Sequence, residues 1–200
     1  MDFNSIAKYY DRLAGLVFGK SLVNAQNYFL DNITATLHVL VVGGGTGWWL
    51  KEFLRTHPTC TICYVEESAE MIRLAKQATE EDYRITFRLG TQDMIIEEDE
   101  FDAVILFCIL DVFSNNQLKD VIKTIKRSLK SNALWLVTDF VETKWWHSFV
   151  LFIMYRFFRF TTGLMNQNLP DWHGALLQTH LIEVNQKLFA NGFIKSAFYR

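Results

Sequence analysis

Proline is scarce in this sequence, with two in 200 residues, and no linker, repeat or low-complexity stretch divides the chain. One continuous domain is expected. Cysteine is also scarce. Three, an odd number, in a chain without a signal-like start exclude a disulfide-stapled secreted fold and point to a reduced compartment. The first twenty residues include Asp2, Lys8, Asp11, Arg12 and Lys20, so they hold no apolar stretch for cleavage or insertion, and a cytoplasmic protein is expected. An excess of one charge is missing too. Lys+Arg 20 against Asp+Glu 22 leaves a net charge of -2, no field to gather a polyanion, and a general nucleic-acid binder is excluded. What the chain does have is apolar mass: half of it is hydrophobic, with 17 Phe, 7 Tyr and 6 Trp, unevenly distributed.

Helix and strand signals alternate. Residues 4–32 carry Ile6, Tyr9, Tyr10, Leu13, Leu16 and Val17 near helical spacing and predict two helices broken near Phe18-Gly19. Leu37–Val42 is an unbroken apolar run, as in a buried parallel strand, and it enters Gly43-Gly44-Gly45-Thr46-Gly47. Helices are predicted at about Trp48–Arg55, Ala69–Thr79 and Gln117–Leu129. Further strands are predicted at Thr61–Val65, Ile85–Leu89, Phe101–Ile109 and Ala133–Phe140. This order implies a three-layer, doubly wound, Rossmann-like α/β sheet, mostly parallel. In such sheets the ligand lies beyond the carboxyl ends of the strands at the switch point, here Gly43–Gly47, Glu66, Phe107–Asp111 and Asp139 onward.

A glycine turn before a helix lets a ligand approach the backbone and offers it unpaired N–H groups. The dinucleotide pattern G-x-G-x-x-G, aligned from Gly43, needs glycine or alanine where Trp48 stands, which argues against a nicotinamide-dependent oxidoreductase. Glu66 ends the second strand, where a carboxylate can accept hydrogen bonds from both hydroxyls of a ribose; the alternative is a plain surface glutamate. The G-x-G-x-G spacing at 43, 45 and 47 resembles motif I of the class I S-adenosylmethionine-dependent methyltransferases. Val65-Glu66-Glu67-Ser68-Ala69-Glu70-Met71 and Leu89-Gly90-Thr91-Gln92-Asp93, followed by Phe101-Asp102-Ala103-Val104, resemble the family's next two motifs. Tyr9-Tyr10-Asp11 is similar to the segment that precedes motif I in its quinone and phospholipid methyltransferases.

The resemblance implies S-adenosyl-L-methionine as cofactor and Tyr10, Gly43, Gly45, Gly47, Glu66, Glu67, Thr91, Gln92, Asp93 and Phe107 as the residues around it. The Gln92 N–H is the candidate for an adenine ring nitrogen, and Thr91 and Asp93 compete for the adenine amine. Tyr10 either closes over the cofactor or is an aromatic packed between helices. Two departures from the family stand out. Val41 replaces an acid two residues before the first glycine, and the sheet's antiparallel end is expected to lack its last strand, the region 177–200 holding a final helix and one strand. The remaining segments are a helical cap at 1–35, a cofactor-binding core at 36–140 and a helical insertion at 141–176.

Methyl transfer from a sulfonium needs alignment above all, which supplies about 7–11 kcal/mol, so no obligatory catalytic residue follows. Asp111, Asp139 and His147 are candidates to take a proton from a hydroxyl acceptor, against packing roles for each. No His, Cys and Asp cluster has metal-ligand spacing. Cys60 and Cys63 are formally C-x-x-C, but the odd spacing in a strand sends the thiols to opposite faces. The segment Trp145–Phe160 is too short to span a bilayer and is interrupted by Arg156 and Arg159. It is core, a dimer contact, an interfacial membrane contact, or a lid over a small hydrophobic acceptor; in the lid reading Trp145, Trp146 and His173 touch that acceptor. A non-catalytic module binding the same cofactor is the alternative to an enzyme.

Overall fold

The computed structural model describes residues 3–33, 37–96 and 100–200, so part of the acidic stretch before the fourth strand lies outside the described residues. Two helices come first, α1 (Ala7–Phe18) and α2 (Ser21–Asn27), parted at Gly19 as the sequence predicts. Then follow β1 (His38–Val42), α3 (Leu50–Thr56), β2 (Thr61–Glu66), α4 (Ala69–Ala78), β3 (Ile85–Leu89), β4 (Phe101–Phe107), α5 (Asn115–Arg127) and β5 (Leu129–Phe140). After these come α6 (Trp145–Thr162), α7 (Trp172–Leu177), β6 (Glu183–Phe189) and β7 (Ile194–Tyr199).

The described strands form one sheet in the order β3-β2-β1-β4-β5-β7-β6, with β1 to β5 parallel and β7 antiparallel to both of its neighbours. Alternate residues of each strand feed opposite layers. Leu40, Val42, Val104 and Leu106 pack on Leu118, Val121, Ile122 and Ile125, the apolar stripe of α5. Val39, Val41, Ala103 and Ile105 pack on Trp49 and on Leu50, Phe53 and Leu54 of α3. A third apolar cluster joins Leu22 and Ala25 of α2, Phe140 at the end of β5, and Leu151 and Tyr155 of α6.

The missing-strand expectation is overturned, because β6 pairs with β7 along Glu183–Phe189. It escapes a reading by pattern because it is an edge strand, exposed from Val184 through Leu188, with no buried face to impose alternation. The helix expected within 177–200 is α7, which lies upstream at Trp172–Leu177. Two smaller shifts have local causes. The fourth strand stops at Phe107 because Cys108 takes a positive φ of 51°, and α5 starts early because Ser114 and Gln117 form a capping box.

Cys63 packs with Leu40 and Val42 in the layer under α5, while Cys60 packs with Val39 and Val41 in the layer under α3. Both thiols are buried and neither is in a disulfide. They are expected to react with a thiol reagent after denaturation without reductant and to stay silent in the folded protein. A stable Cys60–Cys63 disulfide in protein purified under mild conditions overturns this.

Candidate active site

The carboxyl ends of β1, β2, β4 and β5 meet beneath α1 and α6. At the end of β1, Gly43, Gly45 and Gly47 take φ values of 65°, 66° and 65°, a region side chains rarely enter. At Gly47 a Cβ would stand 2.7 Å from Leu50 and 2.8 Å from Ala75, so the turn packs directly onto α3 and α4. Gly45 is different: nothing lies within 4 Å of where its Cβ would be, so the turn has an open face there.

β2 holds Gly45 from both ends. Its N–H donates to Glu66 Oε2 at 3.0 Å, and its carbonyl accepts the Tyr64 hydroxyl at 2.8 Å. The other Glu66 oxygen accepts the Ser68 N–H at 2.9 Å. Burial raises the Glu66 pKa, and the two backbone donors oppose that rise. Glu67 is exposed beside it. The end of β3 is tied to the same place, since the Gly90 N–H donates to the Glu66 carbonyl at 2.9 Å. Thr91 and Asp93, read as competitors, are partners: the Thr91 hydroxyl donates to the Asp93 carboxylate at 3.0 Å, with half-buried Gln92 between them.

The start of the chain, Asn4 ahead of α1 and Asp11 within it, binds this edge with polar groups that pattern reading missed. The Thr46 hydroxyl donates to Asp11 Oδ2 at 2.8 Å, and the Ser68 hydroxyl donates to Asn4 Oδ1 at 2.8 Å. Tyr10, one residue before Asp11, is half-buried beside Phe158 of α6, with ring centroids 6.3 Å apart. Its phenol is pushed well above the ordinary tyrosine pKa by burial and then by the charges of Cys108, Asp111, Asp11 and Asp139, the groups among which it sits.

Asp139 and Asp111 form the polar floor at the ends of β5 and β4. Asp139 is fully buried and accepts three backbone N–H groups, from Leu110 at 2.9 Å, Asp111 at 3.3 Å and Phe140 at 2.7 Å. Asp111 is buried too, and its Oδ1 has no partner among the described residues. Burial pushes the Asp111 carboxyl up to about 7; burial and then the Asp111 charge push Asp139 in the same direction. Tyr155 of α6 donates to the Asp111 carbonyl at 3.1 Å. Gln26 of α2 hydrogen-bonds the Cys108 thiol. Phe107, buried, closes the apolar side against Trp49, with centroids 5.4 Å apart.

The remaining expected site residues disperse. Trp145 is 88% exposed and turns away from the floor. Trp146 is half-buried, edge-on to His147 at 4.1 Å. His147 is buried, accepts the Thr143 N–H on Nδ1 at 3.0 Å and packs on Phe193, while its Nε2 meets no partner among the described residues. Burial lowers its pKa, which keeps the ring neutral. His173 belongs to a separate cluster, with Tyr199 at 2.8 Å and Lys195, itself paired to Glu183 at 2.6 Å. No group of three or more His, Cys, Asp or Glu side chains among the described residues could hold a metal ion.

Residues 39–132 match the family model of the methyltransferase domain. Over 142 residues, 69% of this chain, the sequence is 30% identical to malonyl-[acyl-carrier protein] O-methyltransferase from Priestia megaterium, and it spans about half (49%) of that relative's length. Two solved structures have the same fold. An O-methyltransferase family 2 protein from Planctomyces limnophilus, complexed with apigenin, superposes with a TM-score of 0.71 at 16% identity over 100% of this chain and 62% of that one. The Burkholderia thailandensis 1,6-didemethyltoxoflavin-N1-methyltransferase, with bound 1,6-didemethyltoxoflavin and S-adenosylhomocysteine, superposes with a TM-score of 0.68 at 14% identity over 98% and 84%. With the strand order, the glycine turn and the acid at the end of β2 in the same places that the sequence motifs assign them, the chain is similar to S-adenosylmethionine-dependent methyltransferases in its domain match, in the Priestia megaterium relative and in its fold.

Proposed function

We propose that the protein transfers a methyl group from S-adenosyl-L-methionine to a small hydrophobic acceptor, quinone-like or lipid-like. One observation carries the cofactor half of this reading. Gly45 and Glu66, 21 residues apart, are joined by a 3.0 Å hydrogen bond at the one place where the glycine turn opens outward. A ribose there meets the Glu66 carboxylate, and the Gly45 backbone leaves room for it. Adenine lies toward Gln92, with Thr91 and Asp93 beside it, and Tyr10 closes the opposite end from α1.

When bound, the cofactor would supply an electrophilic sulfonium methyl for the acceptor atom, with its sulfur leaving as a neutral thioether. The chain's own residues exclude water and hold the acceptor in line, the larger part of the rate gain. Asp111, its Oδ1 unpartnered and its pKa about 7, is suited to take the acceptor's hydroxyl proton near neutral pH. Asp139, saturated by three backbone donors, holds the ends of β4 and β5 in place. The acceptor side is apolar because Trp146 and Phe158 of α6 gather with Phe193, just before β7, in the third cluster.

The test pairs calorimetry with S-adenosylhomocysteine and a transfer assay with methyl-labelled S-adenosylmethionine over a panel of apolar hydroxylated acceptors. Binding and turnover of at least one acceptor are expected. Trp146→Ala should lower turnover while sparing S-adenosylhomocysteine affinity. Binding without turnover across the panel overturns the catalytic reading in favour of a binding module. Absence of binding overturns both.

A further inference from the structure

The helix α6 buries one side and leaves the other apolar side bare. His147, Leu151 and Tyr155 turn inward, whereas Trp145 (88% exposed), Phe149 (65%), Phe152 (61%), Ile153 (52%) and Phe160 (95%) turn outward. A helix on the surface of a globular domain ordinarily carries charged residues there. The only charged side chains of α6 are Arg156 and Arg159, both exposed and both interleaved with those rings. From Thr143 to Pro170 the sequence contains Lys144, Arg156 and Arg159 and no acidic residue, in a chain whose net charge is -2, and the nearest carboxylate upstream, Glu142, accepts the Ser148 hydroxyl at the start of the helix. The cationic character is therefore local to this face.

We propose that the outer face of α6 is a docking surface for an anionic lipid bilayer, on which the helix lies flat. Bulky aromatic side chains sink to the boundary between headgroups and acyl chains, and arginines among them meet lipid phosphates. The helix does not cross: no described helix is long and apolar enough to span a membrane. A second copy of this chain fits the face less well. In a twofold pairing the same patch meets itself, so a patch carrying Lys144, Arg156 and Arg159 is brought against a second patch with the same cations and no carboxylate between Thr143 and Pro170. A bilayer rich in phosphate supplies that missing negative charge. The inner side of the same helix reaches the polar floor through the Tyr155 hydroxyl on the Asp111 carbonyl, so docking sets the cap against the lipid surface. The proposal does not depend on methyl transfer.

Flotation with vesicles tests it, in the absence of any cofactor. The protein is expected to float with phosphatidylcholine vesicles containing phosphatidylglycerol at low salt, and far less with phosphatidylcholine alone or at high salt. Replacing Arg156 or Arg159 by Gln should weaken vesicle affinity about fivefold each, corresponding to about 1 kcal/mol per cation near an anionic surface. Phe149→Glu with Phe152→Glu should abolish flotation while leaving the melting temperature and S-adenosylhomocysteine affinity at parental values, since neither ring is in the core. Tryptophan emission should shift to the blue on mixing with anionic vesicles, and Trp145→Phe should remove most of that shift. Three results overturn the proposal: no flotation under any condition, equal flotation with neutral and anionic vesicles at every salt concentration, or a concentration-dependent dimer that the double Phe variant dissolves. Failure of flotation with intact S-adenosylhomocysteine binding sinks the docking surface alone.

Discussion

Glu66→Ala is expected to weaken S-adenosylhomocysteine binding by between about tenfold and a little over a hundredfold, the span of about 1.5–3 kcal/mol for hydrogen bonds to a charged group. The carboxylate has two tasks in the structure. Its oxygens accept Gly45 N–H and Ser68 N–H, which fixes the turn and the start of α4, and in the proposed complex they also accept the ribose hydroxyls. Removing it therefore leaves two backbone donors seeking water and loosens the open face at Gly45. Glu66→Gln separates the two tasks. It can keep one acceptor oxygen for the loop but presents an amide donor where the second N–H or hydroxyl stood, so an intermediate loss is expected. Gly45→Val attacks the same place from the other side: the chain accommodates the added atoms, because that face is open, but a β-branched residue at a φ of 66° is strained. Its effect on affinity should exceed its effect on the melting temperature. Glu66→Ala binding as tightly as the parent in calorimetry would place the ribose elsewhere.

The ease with which this edge could be found in the sequence contrasts with the difficulty of the rest. Gly43, Gly45 and Gly47 are legible because the need for positive φ leaves a chemical mark at each position. Glu66 is legible because an acid closing an apolar run breaks the pattern. β6 leaves no such mark, since an edge strand exposed on both sides answers to its neighbour's hydrogen bonds rather than to burial. Long-range polar pairs are equally silent. Asp11 and Thr46 are 35 residues apart, and Asn4 and Ser68 are 64 apart, with no local pattern tying one to the other. The aromatic segment shows both limits. Its composition announces an unusual helix, but which rings face inward follows from where Phe140, Phe193 and Asp111 sit, and this sends Trp145 outward while Trp146 stays in the cap.

The buried carboxyls should also make the protein less stable as pH rises, the reverse of the common acid-labile behaviour. An aspartate has an ordinary pKa of 3.8, and burial pushes Asp111 to about 7, with Asp139 raised beside it. A group whose folded pKa is raised contributes stability that is complete below its unfolded pKa and is lost as pH climbs through the folded value. The window is therefore about pH 4 to 7. A rise of this size corresponds to at most about 4 kcal/mol, because one pKa unit is about 1.4 kcal/mol. About two of those units lie between pH 5 and 7, roughly 3 kcal/mol, which for a chain of this length is a melting temperature lower by roughly 5–11 °C at pH 8 than at pH 5. Surface ion pairs act in a different window: the hydrogen bond from Arg84 lowers the Asp82 pKa, and that contribution disappears only as pH falls below the ordinary carboxylate range. Two variants divide the pair. Asp111→Asn removes the titrating proton at a carboxyl that has an unpartnered oxygen, so it should flatten the pH slope at small cost in acid. Asp139→Ala strips the acceptor from three backbone N–H groups in the interior and should cost about 3–5 kcal/mol in acid, and less as the pH rises. Melting curves from pH 5 to 8 decide the matter. A parental melting temperature that rises across that range, or an Asp111→Asn variant that keeps the parental slope, would show that the carboxyl at the end of β4 is already ionised in the folded protein.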